Sequence, residues 1–344
     1  MRAVRASAPG EMHLEEVARP EPGPEDVVVR VRACGICGTD LHWYHGTMAL
    51  PAVCPGHEIA GEVASAGAAV RNLREGDAVA LEGIVGCMQC PSCRSGSYHL
   101  CPALGIIGMT LPGGFADYVR IPARHCFRTP AGVSAAVAAL SEPLAVAVHG
   151  VRIAGMERGA RVLVLGAGTI GLMAIVAARA AGAGEVVVTA RRPQQKAAAR
   201  DLGAVRVFGD EEHADLAAFA RDSPVDLVIE TVGGAADTLP VAAGACRPGG
   251  TICVLGVFLG APTLPAVQLV VKELTLKGSM VYNRSAGRAD FEITQDLLAR
   301  EGPRLEGVVT HRVPLDDVAR AFALAADKTS GSIKVTVTDE GAPA

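Results

Sequence analysis

Four cysteines fall within fifteen residues, at Cys87, Cys90, Cys93 and Cys101. Four thiolates at that spacing suit a tetrahedral zinc ion and leave no coordination position for a substrate, so such a site is structural. An iron–sulfur cluster and paired disulfides are the alternatives. A second set of ligand types is dispersed: Cys37 in Gly35-Ile36-Cys37-Gly38-Thr39-Asp40-Leu41-His42, His57 and Glu58 after Pro55-Gly56, and Glu142 before Pro143-Leu144. One thiolate, one imidazole and one carboxylate neutralise zinc(II) and leave a position open, which is what a catalytic zinc needs. Taken singly, each residue has an ordinary reading. Cys37 could be a small buried residue, His57 a surface histidine, and Glu58 or Glu142 a solvated charge. Spacing alone does not bring them together.

A third pattern is Gly166-Ala167-Gly168-Thr169-Ile170-Gly171, preceded by Val162-Leu163-Val164-Leu165. Gly166 permits a tight turn, Gly168 lets a pyrophosphate approach the backbone, and Gly171 allows close helix–strand packing. The chain holds 40 glycines, so the spacing carries weight only because an apolar strand precedes it and a helix-like run follows.

These groups need elements to position them. Before about residue 140, short Val-containing runs are punctuated by Gly and Pro. Strands are expected at Val27–Ala33, Glu58–Ser65 and Asp77–Leu81, with turns at Pro20–Pro24 and Arg74–Gly76. Beyond about residue 150 the pattern becomes α/β. Strands are expected at Arg161–Leu165, Glu185–Thr189, Val225–Glu230, Thr251–Leu255 and Leu274–Met280. Helices are expected at Thr169–Ala181, Pro193–Leu202 and Ala235–Cys246. Strand alternating with helix at this pitch implies a parallel sheet covered on both faces. The tail reads as two amphipathic helices and two strands, Gly307–Val313 and Ser332–Val337.

The 344 residues suggest two domains at roughly 150 residues each. Half the residues are hydrophobic and a fifth charged, which excludes general disorder. A net charge of −4 gives no electrostatic reason to expect nucleic acid or an anionic membrane as partner. No apolar leader opens the chain, and the longest uncharged run, Pro248–Val271, is broken by Pro and Gly, so no signal peptide or membrane helix is expected. Clustered cysteines without a secretion signal favour metal ligation in the cytoplasm.

The motifs together resemble the zinc-dependent medium-chain alcohol dehydrogenases, in particular the polyol, butanediol and threonine dehydrogenase branch. The likeness covers essentially the whole chain. It rests on Cys37-Gly38-Thr39-Asp40-Leu41-His42, Pro55-Gly56-His57-Glu58, the four-cysteine loop, Glu142-Pro143-Leu144, Gly166–Gly171, Lys277-Gly278-Ser279 and Pro314-Leu315-Asp316-Asp317-Val318. It implies a mostly β, chaperonin-10-like catalytic domain, residues 1–144 plus 285–344. A Rossmann doubly wound parallel sheet, residues 145–284, is inserted into it. It implies two zinc ions per chain. Cys87, Cys90, Cys93 and Cys101 would hold the structural ion. Cys37, His57 and an acidic third ligand, Glu58 or Glu142, would hold the catalytic ion in the cleft. A substrate hydroxyl would lose its proton near neutral pH on the zinc, and the nicotinamide would take the hydride. Thr39 would pass the hydroxyl proton through the cofactor ribose to His42. Gly166, Gly168, Thr169, Ile170, Gly171, Thr231, Val232, Leu255, Gly256, Val257 and Ser279 would line the cofactor. A homodimer or homotetramer is expected, with pairing at Leu274–Met280.

The cofactor choice turns on the end of the second nucleotide strand, where an acid binds the free ribose hydroxyls of NAD. Ala190 stands there, followed by Arg191, Arg192 and, a helical turn on, Lys196. Arg191 could stack on the adenine while Arg192 or Lys196 meets a 2′-phosphate, which predicts NADP(H) over NAD(H); the ordinary reading is that the arginines are solvated. Sorbitol dehydrogenases place an arginine where Val281 stands, and threonine dehydrogenases a histidine where Ile84 stands. The stretches 105–110, 142–146 and 278–282 look most like butanediol-type enzymes. A small secondary alcohol or vicinal diol, or its ketone, is therefore expected. The alternatives are a polyol, polyol-phosphate or L-threonine dehydrogenase. An alternative of another class is a non-catalytic nucleotide-binding protein, which should have lost its zinc ligands first.

Overall fold

The structure is a computed structural model that describes residues 1–285 and 287–338. The chain divides into two compact units, Met1–Glu142 with Asn283–Ala344, and Pro143–Tyr282.

The first unit is built on strand Asp26–Gly35, whose Val27, Val28 and Val29 are fully buried. It pairs antiparallel with Glu58–Ala66, with Tyr118–Pro122 and with the C-terminal strand Lys334–Thr338, in a sheet extended by Ala78–Leu81, Cys126–Arg128 and Val309–Val313. A core of Val29, Ile59, Phe115, Val119 and Phe322 packs against it. The register sets Gly35 beside both Glu58 and Thr336, so segments far apart in sequence converge at one end of the strand.

The second unit holds six parallel strands in the order Arg206–Phe208, Glu185–Thr189, Arg161–Leu165, Val225–Glu230, Cys246–Val254, Thr275–Gly278. This is a doubly wound Rossmann sheet, whose order reverses between Arg161–Leu165 and Val225–Glu230. Val162, Leu163 and Val164 are fully buried, as a strand covered on both faces requires. Strand Arg206–Phe208 and helix His213–Asp222 were not expected from sequence: one is too short for a pattern and the other is a ten-residue, alanine-rich helix with only Leu216 and Ala220 buried. The strand expected at Thr251–Leu255 begins earlier, at Cys246, because Pro248-Gly249-Gly250 are absorbed where the ladder to its neighbour shifts register.

Pro248–Val271 forms no membrane-length helix and ends in the six-residue helix Ala266–Val271. One other helical stretch, Ala135–Ala154, is long and apolar enough to cross a membrane, yet 83% of its apolar window is buried inside the protein.

Candidate active site and cofactor cradle

Cys37 opens the helix Gly38–Tyr44, and its N–H donates to the carboxylate of Asp40 at 2.8 Å. His57 follows Gly56, which lies at φ +97°, where a side chain would also strike Cys34 Sγ at 2.7 Å and the Phe115 ring at 2.9 Å. The glycine thus brings His57 to the start of strand Glu58–Ala66. The ligand atoms of Cys37, His57 and Glu58 all lie within 4.8 Å of one another. Burial opposes the imidazolium of His57, but the Cys37 thiolate, then Asp40 and Glu142, carry its pKa well above the ordinary value. Its Nδ1 is buried without a hydrogen-bond partner among the described residues.

Glu58 is held differently from either sequence expectation. Both its oxygens accept from Lys334 Nζ, at 2.7 and 2.6 Å, and the same ammonium donates to the Ile36 carbonyl at 2.8 Å. Glu58 and Lys334 are 1% and 2% exposed, so this is a buried ion pair and each partner needs the other. A Cβ on Gly35 would overlap the Glu58 carboxylate, so only glycine fits across the ladder. Lys334 has no sequence signal, being 276 residues from its partner.

Glu142, at the start of helix Ser141–Ala154, stands outside the tight triplet but close enough to interact with His57. Burial pushes its carboxyl up to about 7, against the opposing influence of His57. Buried Asp40 rises to about 6 for the same reason, and its second oxygen has no partner. Thr39 is half-buried one helical turn before His42, whose Nδ1 meets Thr47 Oγ1 at 3.1 Å.

The four sulfurs of Cys87, Cys90, Cys93 and Cys101 also lie within 4.8 Å of one another, with Cys87 and Cys93 3.9 Å apart. Tetrahedral zinc with ordinary Zn–S bonds needs sulfurs about 3.8 Å apart. Backbone N–H groups of Cys87, Cys90 and Cys93 each point at a ligand sulfur at 3.4 Å. The N–H groups of Gln89 and Cys90 lower the Cys87 thiol to about 6. None of the ten cysteines is paired in a disulfide in the structure. A network missed in the sequence braces this loop: Tyr98 donates to Glu82, whose other oxygen meets His125 Nδ1 at 2.7 Å.

In the second unit the glycine turn has the shape a dinucleotide requires. Gly166 is at φ +96°, and its N–H donates to Thr189 Oγ1 at 2.9 Å. A Cβ on Gly171 would overlap the Gly166 carbonyl. Gly168 caps helix Thr169–Ala180 without a side-chain bond and faces open space, so the positive end of a twelve-residue helix is left for an anion. Thr231 does not project freely: its hydroxyl donates to the Leu165 carbonyl at 2.7 Å and braces the turn.

Buried Glu230, which the sequence reading passed over, organises the next wall. Its Oε1 accepts from Val232 N, Gly233 N and Thr238 Oγ1, and its backbone carbonyl from Leu255 N and Gly256 N. Val257 is exposed, and Ser279 Oγ is buried without a hydrogen-bond partner among the described residues. Ala190 is 3% exposed at the end of its strand, with Arg191, Arg192 and Lys196 following.

The alcohol dehydrogenase GroES-like domain matches residues 23–131, and the zinc-binding dehydrogenase domain matches residues 169–300. An L-threonine 3-dehydrogenase from Chelativorans sp. (strain BNC1) is 34% identical, over 97% of this chain and 98% of its own. The chain belongs to the zinc-dependent medium-chain alcohol dehydrogenases. A zinc-binding dehydrogenase from Sinorhizobium meliloti 1021, solved with NADP, superposes with a TM-score of 0.87 at 32% identity, covering 98% of both chains. The 2R,3R-butanediol dehydrogenase from Bacillus subtilis gives 0.86 at 29% identity, over 98% of this chain and 99% of its own.

A dehydrogenase of this family carries zinc and a nicotinamide dinucleotide, and the residues present fit both. The clustered ligand atoms of Cys37, His57 and Glu58 suit a metal, as do the four close-set sulfurs of the loop. The bare glycine turn and the orphaned Ser279 hydroxyl suit the dinucleotide. The protein is thus an alcohol or polyol dehydrogenase acting on a small-molecule alcohol.

Proposed function

We propose that this dehydrogenase interconverts a small secondary alcohol or vicinal diol and its ketone, with NADP(H) preferred over NAD(H). The observation that supports the cofactor choice is the neutral, buried Ala190 at the strand end, followed by Arg191, Arg192 and Lys196. No carboxylate at 190 repels a 2′-phosphate, and an arginine fork binds one well. For the substrate, Ile84 is buried and apolar and Val281 offers no cation, where related threonine and sorbitol enzymes carry polar side chains.

Two zinc ions per chain are part of this reading, one on the four-cysteine loop and one on Cys37, His57 and a carboxylate. Lys334 already neutralises Glu58, so Glu142 supplies the balancing charge beside Cys37, with Glu58 within reach. Bound zinc supplies Lewis acidity at the substrate oxygen, and the nicotinamide supplies the hydride acceptor. Thr39 Oγ1 takes up the hydroxyl proton, and His42 releases it one helical turn away. The chain works as a homo-oligomer, and its ten free thiols suit the cytoplasm.

The test is a panel of alcohols, diols, polyols, polyol phosphates and L-threonine, assayed with each cofactor for wild type and Ala190→Asp. The expected result is the highest kcat/KM on a small vicinal diol with NADP, shifted toward NAD in the variant. Preference for NAD in the wild type defeats the cofactor assignment. The second reading, an L-threonine dehydrogenase, is favoured by the Chelativorans relative and takes its place if threonine is turned over best.

A further inference from the structure

Two of the three cations that follow Ala190 are already paired within the chain. Arg191 Nε lies 3.2 Å from Asp210 Oδ2, and Lys196 Nζ lies 3.0 Å from Glu211 Oε1. Both acids belong to one turn. Strand Arg206–Phe208 runs parallel to Glu185–Thr189, with Phe208 opposite Thr189, and Ala190 N donates to the Phe208 carbonyl at 2.8 Å. That register delivers residues 190–192 and 209–211 side by side from adjacent strand ends.

The turn is shaped for the pairing. Gly209 N donates to Glu212 Oε2 at 2.5 Å, closing a short helical turn over Asp210–Glu212. A Cβ on Gly209 would collide with both Glu211 Oε1 and Lys196 Nζ, so the ion pair lies directly across that glycine. Lys196 is largely covered, with 22% of its side chain exposed, while Asp210 and Glu211 are 61% and 70% exposed. Arg192 has no side-chain partner among the described residues. The acids can therefore swing into water while the lysine stays in place.

We propose that Asp210 and Glu211 form an acidic clasp that sets the size of the cofactor preference. With no phosphate present, they neutralise Arg191 and Lys196 and hold both in position. A 2′-phosphate binds by displacing them, exchanging a carboxylate for a phosphate on each cation. NAD has no phosphate to make the exchange and leaves the clasp closed. The acids thus oppose NADP binding, through competition and through like-charge repulsion, and are nearly silent toward NAD. Exposed ion pairs are weak enough to open on this basis.

The inference rests on the assignment of residues 190–196 to the 2′-phosphate, and its test separates the two. Dissociation constants for NADPH and NADH are measured by fluorescence titration of the zinc-loaded wild type, Asp210→Asn, Glu211→Gln and the double variant. Thermal melting checks that each near-isosteric amide variant is folded. The double variant should bind NADPH about 3- to 10-fold tighter, the worth of two exposed pairs. NADH should change by less than about twofold, since it engages neither cation. Raised salt should shrink the NADPH gain. An unchanged or weaker NADPH affinity, or equal tightening of both cofactors, overturns the clasp. If the wild type binds NADH more tightly but the double variant gains selectively for NADPH, the clasp stands and the proposed preference falls.

Discussion

Lys334 is the side chain that most changes how the site reads. The sequence makes Cys37, His57, Glu58 and Glu142 visible as metal-ligand types, because thiolate, imidazole and carboxylate have few reasons to recur in such motifs. It does not reveal that Glu58 is bound at both oxygens by an ammonium from the last strand, because that contact depends on register between strands 276 residues apart. Glu230 was invisible for a related reason: its bonds go to backbone N–H groups, which every residue type provides. The buried Glu58–Lys334 pair makes a stability prediction. Removing one partner leaves an uncompensated buried charge, which typically costs about 3–5 kcal/mol. Lys334→Met should therefore lower the unfolding free energy by about that amount. Adding Glu58→Gln should restore most of it, because the stranded carboxylate is then gone. Denaturant unfolding of the two singles and the double forms the cycle. Additive losses would show that the pair is not the unit of stability.

At the scale of elements, periodicity was informative where strands are covered on both faces. Arg161–Leu165, Glu185–Thr189 and Val225–Glu230 appear with the bounds read from the sequence. Legibility failed where an element is short, buries few residues or is interrupted by glycine, as at Arg206–Phe208, His213–Asp222 and the start of Cys246–Val254. The four-cysteine loop lies between these cases. Its spacing announced the cluster, while the path that closes it depends on local backbone. Met88 is at φ +59°, and a Cβ on Gly86 would press on Cys93 Sγ at 2.9 Å. In the proposed reading this loop holds the structural zinc. Cys101→Ser should cost thermal stability and one zinc per chain, because three thiolates and a hydroxyl make a poor closed site. Cys37→Ser should keep the melting temperature near wild type and reduce turnover to near background. Metal analysis beside melting curves distinguishes them. One zinc per wild-type chain, or full turnover in the Cys37 variant, would contradict the two roles.

For the molecule as a whole, the open question is what covers the far edge of the parallel sheet. Strand Thr275–Gly278 ends the strand order, so one side of its backbone has no partner strand among the described residues. Soluble proteins usually guard such an edge with a charge or a covering element. Here the edge lysine, Lys277, instead donates to the Ile153 carbonyl at 2.7 Å. In the helix Ala266–Val271 that precedes this strand, Val267, Val270 and Val271 are 76%, 77% and 77% exposed, and Leu264 and Leu276 are also open to solvent. Exposed aliphatic side chains on a helix next in sequence to an unpaired edge strand are what the proposed homo-oligomer would cover. A second copy of the chain satisfies both features at once. About a twofold axis the two edge strands would run antiparallel and exchange backbone hydrogen bonds, and each valine face would meet its equivalent. The wild type should therefore be at least dimeric at micromolar concentration by light scattering on a sizing column. Val270→Glu with Val271→Glu places four charges in that contact per dimer and should shift the population to monomer, with the Rossmann core intact by circular dichroism. A wild-type monomer, or a double variant that stays dimeric, would place the contact elsewhere.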